Sequence, residues 1–314
     1  MATEKFVVTG EQDSAFHRRS FDLERQWRAR VLDPERVLPG LQLLMEGKPI
    51  IISEKPVSVD WLSTILARER QYHLAFFDRE YDLAEFEQKL RSHGRKRVKA
   101  WQNLGLEPHF LPSVSLMPGD EYPGWNTKPN QWFYQKLVQG ELFRNINGQM
   151  VKMTAARLEG ISVLIDTRLK PAFSNGRQMY ERDNLLGPIL EQLRKKNKIA
   201  PYAHGPQSSR FGVSADEWET TIKPALAGKL GLDVSQIRLE TVEEGNIIPQ
   251  IYTDLPRKDD GQTNTWVWYE QYWGVGRGSR LFGGNSDGGG LAGVDYDSSY
   301  DRWRSRSVRP LAVL

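Results

Sequence analysis

The sequence predicts an α+β protein, with a largely helical region over residues 1–150 and a mixed domain over residues 151–314. Three observations carry that reading. Apolar residues recur at helical spacing through much of 58–138. Beyond residue 155, short β-branched or aromatic runs alternate with two further helical stretches. The last run, "SVRPLAVL", has the character of "GISVLIDT" and would pair with it, closing the second domain on its own two ends.

Residues 1–55 are mixed and contain a strand at "KPIIIS" (48–53). A helix over "SVDWLSTILARERQYHLAFF" begins at a Ser58 or Asp60 cap and carries Trp61, Ile65 and Leu66 at helical spacing. Another runs from Asp82 to Gly105, with Leu83, Phe86, Leu90 and Trp101 on one side. Its basic cluster, Arg91, Arg95, Lys96, Arg97 and Lys99, reads as a solvated face near a helix C-terminus, with phosphate contact as the alternative. Residues 106–130 are rich in Pro, Gly and Asn and read as a long irregular connection. A short amphipathic helix, "QWFYQKLVQGELF", comes next.

The second half is more regular. "LEGISVLIDTRL" (158–169) reads as a buried strand through Ile161, Val163, Leu164 and Ile165. Helices follow over 179–199 and 214–232; Ser214 with Glu217 makes a capping box for the second. Each contains a proline, Pro188 or Pro224, expected to kink or interrupt it. "SQIRLE" and "NIIPQIY" read as short strands, and "TWVWYEQYW" (265–273) as a strand of alternating Trp and Tyr. A glycine-rich tail completes the chain. No internal repeat is present.

Composition narrows the function classes. The 314 residues are 39% hydrophobic and 26% charged, the balance of a globular protein, and a net charge of +3 is too small to imply a polyanion partner. No apolar leader precedes the first charged residues and no stretch approaches about 18 apolar residues. The expectation is a cytoplasmic protein, or one exported without a signal peptide, with no transmembrane segment. The absence of cysteine removes disulfides, thiolate metal sites and cysteine nucleophiles together. The five histidines, His17, His73, His93, His109 and His204, lack metal-ligand spacing. "GVGRGS" has neither P-loop nor dinucleotide-turn spacing. "DYDSSYD" sets Asp295, Asp297, Ser299 and Asp301 on alternate positions, but Tyr300 and Arg306 stand where a calcium loop needs Gly and Glu. No catalytic constellation, metal site or cofactor is expected.

The tail is the informative segment. Residues 274–314 contain no Lys, Glu, Gln or Met, types the first 273 residues use freely. Apart from Trp303, every residue type between 274 and 306 can be encoded by a codon ending in a pyrimidine, whereas Lys, Glu, Gln, Met and Trp cannot. That is the pattern expected where asparagine codons are rewritten at their adenines; the alternative, that glycine-rich loops simply avoid long polar side chains, accounts for part of the deficit. The same residue types suit recognition: Tyr and Phe give rigid contact area, while Ser, Gly, Asp and Asn give adaptable hydrogen bonds.

On these residues the stretch "TWVWYEQYW … SRLFGGNSDGGGLAGVDYDSSYDRWRSRSVRPLAVL" resembles the C-terminal variable region of diversity-generating retroelement target proteins, and "VLIDTRLKPAFSNGRQMYERDNLLGPILEQLRKKNKI" their fixed part in candidate-phylum bacteria. The resemblance covers residues 155–314. It implies a C-type-lectin-like fold of the kind shared with formylglycine-generating enzymes, with two helices, short antiparallel strands and paired terminal strands. It also implies a binding face rewritten by an error-prone reverse transcriptase. The positions carried over are Gly276, Arg277, Ser279, Asp287, Gly288, Asp295, Tyr296, Asp297, Ser298, Tyr300, Asp301, Arg304 and Ser305, with Phe282 and Arg306 beside them. Gly283, Gly284, Leu291, Ala292 and "RPLAVL" read as fixed scaffold, and Trp303 as a fixed platform within the ligand-binding surface. Ser307-Val308 stands where the family often has Gly-Phe before Arg-Pro. The enzyme relatives need active-site cysteines or a histidine-built iron site, and this sequence supplies neither.

The expected protein is therefore non-enzymatic, its partner a macromolecule and foremost a protein. Carbohydrate binding on the same fold, or nucleic-acid binding through residues 89–99, is the alternative. Residues 1–150 are expected to serve attachment or homo-oligomerisation.

Overall fold

A computed structural model describes residues 9–28, 37–38, 41–42, 45–46, 60–146, 148–167, 173–174, 177–178, 183–254, 266–284 and 290–314. The chain divides into two compact units, Met1–Ser58 and Val59–Leu314. In the first, helix α1 (Gly10–Arg28) exposes Phe16 and Phe21 and carries an Arg28–Glu24 ion pair one turn apart. The strand expected at 48–53 lies outside the described residues.

The boundary expected at 150 falls inside the second unit. One strand explains why. Helices α2 (Trp61–Phe77), α3 (Ala84–His93) and α4 (Arg95–Asn103) lead into β1 (Leu106–Ser115). β1 pairs antiparallel with β4 (Arg157–Asp166), from Leu106↔Asp166 to Ser115↔Arg157. The irregular connection expected over 106–130 is thus corrected for its first ten residues. Pro108 and Pro112 masked the strand, and they are tolerated because β1 lies at the sheet edge, where a missing N–H costs no ladder bond. Asp60 caps α2 as expected. The single helix expected over 82–105 is two, because Gly94 takes a positive φ of 77° between them.

The first sheet runs β1-β4-β12-β7, with β7 at Ile237–Leu239 and β12 at Pro310–Val313. The expected closure is present: Leu311 faces Ile165 and Val313 faces Val163 in an antiparallel pair. Successive residues of a strand point to opposite faces. Accordingly Leu164 and Ala312 join a core with Trp101, Trp218 and Trp268, while Val163, Ile165 and Leu311 join a second core with Phe133, Ile247 and Tyr252. Burial on both faces accounts for the unbroken apolar run in β4.

The second sheet runs β10-β9-β8-β2-β3, comprising β2 (Leu142–Ile146), β3 (Gln149–Lys152), β8 (Trp266–Trp273), β9 (Ser279–Gly283) and β10 (Val294–Ser298). β11 (Arg306–Val308) adds to β8 in parallel. A small pair, β5 (Phe173–Ser174) and β6 (Arg177–Gln178), stands apart.

Further helical segments belong to this unit. α5 (Gln131–Val138) is capped by Asn130, whose side chain accepts from the Phe133 N–H. α6 (Gly187–Lys195) starts at Pro188, so that proline opens the helix where a kink was expected. The 214–232 segment has the expected Ser214/Glu217 box, then α7 (Ala215–Glu217), a π-helical turn (Trp218–Ile222) and α8 (Lys223–Leu230). The turn directly precedes Pro224 and absorbs its missing N–H. α9 (Val242–Ile251) replaces the strand expected at "NIIPQIY". It begins at a Thr241/Glu244 capping box and is buried nearly all round, so no polar stripe disclosed its helical period.

Candidate functional site

The tail forms one outer edge of the second sheet. β10 is the edge strand and pairs with β9, setting Asp295 opposite Phe282, Tyr296 opposite Leu281, Asp297 opposite Arg280 and Ser298 opposite Ser279. Burial follows the pairing. Arg280, Leu281 and Gly283 of β9 are buried, while Asp295 and Tyr296 of β10 are exposed.

A second tier supports the edge. Arg280 donates to the Tyr269 carbonyl at 2.6 Å, to Glu219 at 2.8 Å and to Glu270 at 2.9 Å. Burial opposes its charge, but Glu270, Tyr272 and Glu219 outweigh that and hold its pKa above the usual arginine value. The turn after β10 is tied by main-chain bonds: Ser299 donates to the Gly278 carbonyl, and its own carbonyl accepts from Asp216. The Gly212 N–H reaches the carbonyls of Trp303 and Arg306, and the Tyr202 hydroxyl donates to that of Arg304. Upstream, Asn130 fixes Ala292 and Val294 through their carbonyls.

Asp297 is the polar hub of the surface. One oxygen accepts from the Trp303 indole at 2.7 Å and from Arg306 at 3.1 Å; the other accepts from the Ser298 N–H. Partial burial pushes its carboxyl up, yet the Ser298 N–H, Arg306 and Trp303 bring it below the ordinary aspartate value. Asp301 moves the opposite way, raised by burial and by the neighbouring Asp297 carboxylate. The Arg306 guanidinium lies 3.7 Å over the Phe282 ring and 4.2 Å over Trp268, and burial brings its pKa down to about 10.

The sequence-derived positions sort by exposure. Gly276 and Arg277, in the turn between β8 and β9, are exposed, as are Asp295, Tyr296, Tyr300, Trp303 and Arg304. Ser279, Asp297, Ser298, Asp301 and Ser305 are half-buried. Phe282 and Arg306 are corrected: both are buried, stacked on each other beneath Trp303, and support the surface from within. Asp287 and Gly288 lie outside the described residues.

Sequence reading missed two tryptophans that belong here. The Tyr296 ring sits 3.9 Å from Trp273 of β8 and 5.8 Å from Trp132 of α5, nearly parallel to the latter. Trp273 is itself held by Glu141, which accepts from its indole at 2.8 Å. Trp132 lies far from the tail in sequence and Trp273 ends the strand before it, and no local signal places either beside Tyr296. Arg302, also missed, pairs with Glu217 at 3.0 Å. The assembled surface offers aromatic area at Tyr296, Tyr300 and Trp303, rimmed by Asp295, Asp301 and Arg304, an arrangement suited to non-covalent contact with another molecule.

Compared with family models, curated proteins and solved structures, the chain matches none of them significantly.

Proposed function

We propose that residues 274–306 form the diversified binding surface of a non-enzymatic retroelement target protein, and that its ligands are macromolecules, proteins foremost. The observation supporting this reading is where the carried-over positions lie: with Phe282 and Arg306 excepted, they are exposed or half-buried wherever they are described, although Arg280 and Ser299, of the same residue types, are buried. Of the tail positions read as scaffold, Gly283, Gly284, Leu291, Arg309, Pro310, Leu311, Ala312 and Leu314 are buried, and Ala292 and Val313 are half-buried. A surface altered at random must confine its changes to side chains the core does not use.

The assignment of residues 151–314 to a C-type-lectin-like fold rests on the β4–β12 pairing that joins the two ends of that segment. The exposed tyrosines are the natural anchors, since interface energy concentrates in a few aromatic and arginine side chains.

The test is genomic. The DNA flanking the gene should carry a near-copy of codons 274–310, with asparagine codons where the tail has Asp, Tyr, Ser and Gly, beside a reverse-transcriptase gene. A flanking region with neither would sink the reading.

A further inference from the structure

A groove of about 390 Å³ lies between α2 and α4, on the opposite half of the sequence from the tail. Each helix contributes the same stripe. Trp61, Thr64, Ile65 and Arg68 fall at i, i+3, i+4 and i+7 of α2; Arg95, Val98, Lys99 and Gln102 fall at the same spacing on α4. Residues so spaced share one helix face. Ile65 and Val98 are buried and belong to the same core cluster, so they make the floor. The walls are a half-exposed Trp61, two neutral hydrogen-bonding side chains and three cations.

The charge in the groove is one-sided. Among the described residues no carboxylate lines it. Arg68 pairs with Glu107 at 2.8 Å, yet its Nε–H has no acceptor among the described residues. Arg95 and Lys99 have no ion-pair or hydrogen-bond partner among the described residues, unlike their neighbours Lys89, Arg91 and Arg97, which meet Glu85, Asp60 with Glu87, and the Gly231 carbonyl. Unpaired cations one turn apart beside a cleft leave a local positive field that an anion would neutralise. The indole adds a flat apolar wall, and Thr64 and Gln102 can donate and accept at a ring edge. The volume is at the small end of ligand sites, which suits one nucleotide better than a chain of them.

We propose that the α2–α4 groove binds a mononucleotide, its phosphate held by Arg95, Lys99 and Arg68 and its base set against Trp61. The site is independent of the tail surface and stands or falls apart from it. The full chain would be titrated calorimetrically with adenosine 5′-monophosphate, inorganic phosphate and adenosine. The monophosphate is expected to bind more tightly than either fragment, and less tightly as salt rises. The double variant Arg95→Ala/Lys99→Ala removes no hydrogen bond or ion pair among the described residues, so its melting temperature should hold while affinity for the monophosphate falls about tenfold or more. Trp61→Leu should abolish the preference for the monophosphate over phosphate alone. Absence of binding at millimolar concentration, or unchanged affinity in the double variant, would overturn the proposal. So would a single-stranded oligonucleotide that binds far more tightly than the monophosphate and is lost in the same variant, since the ligand would then be nucleic acid.

Discussion

Two carboxylates, Glu69 in α2 and Asp297 in β10, each gather three or more partners, Glu69 from distant parts of the chain and Asp297 from the nine residues that follow it. Glu69 accepts from the His109 ring at 2.9 Å, the Phe110 N–H at 2.9 Å and the Tyr252 hydroxyl at 2.8 Å, with the His73 ring 3.3 Å away. Asp297 accepts from the Ser298 N–H, the Trp303 indole and Arg306. The chemistry is alike, but Glu69, His73 and His109 are each 0% exposed, whereas Asp297 is half-buried and Trp303 is 52% exposed. Where water is excluded, a lost partner leaves bare donors; where water is present, it replaces the partner. The first node is therefore a requirement of the fold and the second a contact that the surface can exchange.

Truncation should separate them most widely. Glu69→Ala strips the acceptor from a buried network and is expected to cost about 3–5 kcal/mol in urea unfolding. Asp297→Ala takes an acceptor from the buried Arg306 guanidinium but opens a site that water already reaches, and should cost less, about 1–3 kcal/mol. Equal costs would break the comparison.

Acid titration sharpens the same contrast. Burial alone would raise the Glu69 carboxyl, but the charge and hydrogen bond of His109, then those of His73, hold it down from 4.5 to about 2. A depressed carboxyl stabilises the folded chain above its unfolded pKa and loses that stabilisation as pH falls through the folded value. About 3 kcal/mol should thus disappear between pH 4.5 and 2, measured as urea midpoints across that range. In Glu69→Gln this part of the pH dependence should vanish; a Gln variant with the wild-type acid profile would assign the loss to other carboxylates.

Two glycines of the tail carry the contrast into the backbone. A Cβ at Gly283 would sit 2.2 Å from the Gly293 carbonyl oxygen, a backbone atom with nowhere to go. At Gly276 the nearest atom to such a Cβ is 4.0 Å away. Gly283→Ala is expected to cost about 1–3 kcal/mol, and Gly276→Ala to lie within about 0.5 kcal/mol of wild type. Thermal unfolding of the pair would decide whether scaffold and variable glycines differ as burial says they do.

These nodes also mark how far the sequence was readable. Periodicity and capping residues located α2, α5, β4, β8 and the closing strand, because each advertises itself locally: Asp60 as a cap, "QWFYQKLV" as an amphipathic helix, the Ile161–Ile165 run as a two-faced strand. β1 was hidden since Pro108, His109 and Pro112 are unfavourable in strands generally and acceptable at this edge only. α9 was hidden because burial on every side erased its polar face. In the tail, residue type alone did not tell exposed from buried positions: Arg277 and Gly276 are exposed while Arg280 and Gly283 are buried, and Phe282 and Arg306 misled. A guanidinium stacked between rings is a tertiary fact with no local signature. Trp132 and Trp273 were missed for the same reason: residues far apart in sequence meet only once the sheet edge and α5 are assembled.

The smallest expected effect distinguishes the two exposed tyrosines. Tyr300 is 62% exposed and makes no ring contact among the described residues, so Tyr300→Ala should change stability by less than about 0.5 kcal/mol. Tyr296 is 36% exposed and rests against Trp273 and Trp132, so Tyr296→Ala should cost about 0.5–1.5 kcal/mol through those ring contacts. The order matters more than either value. A variable position can accept many side chains only if the folded state barely uses the one it holds, and Tyr300 meets that condition more fully than Tyr296. Tyr296 in turn offers a ring already fixed by its neighbours, which reduces the entropy lost when a ligand closes over it. Urea unfolding of both variants checks the stability order. If Tyr300→Ala proved the more destabilising, the turn after β10 would belong with the scaffold, and the exposed face would shrink to the β10 edge and the Trp303 platform.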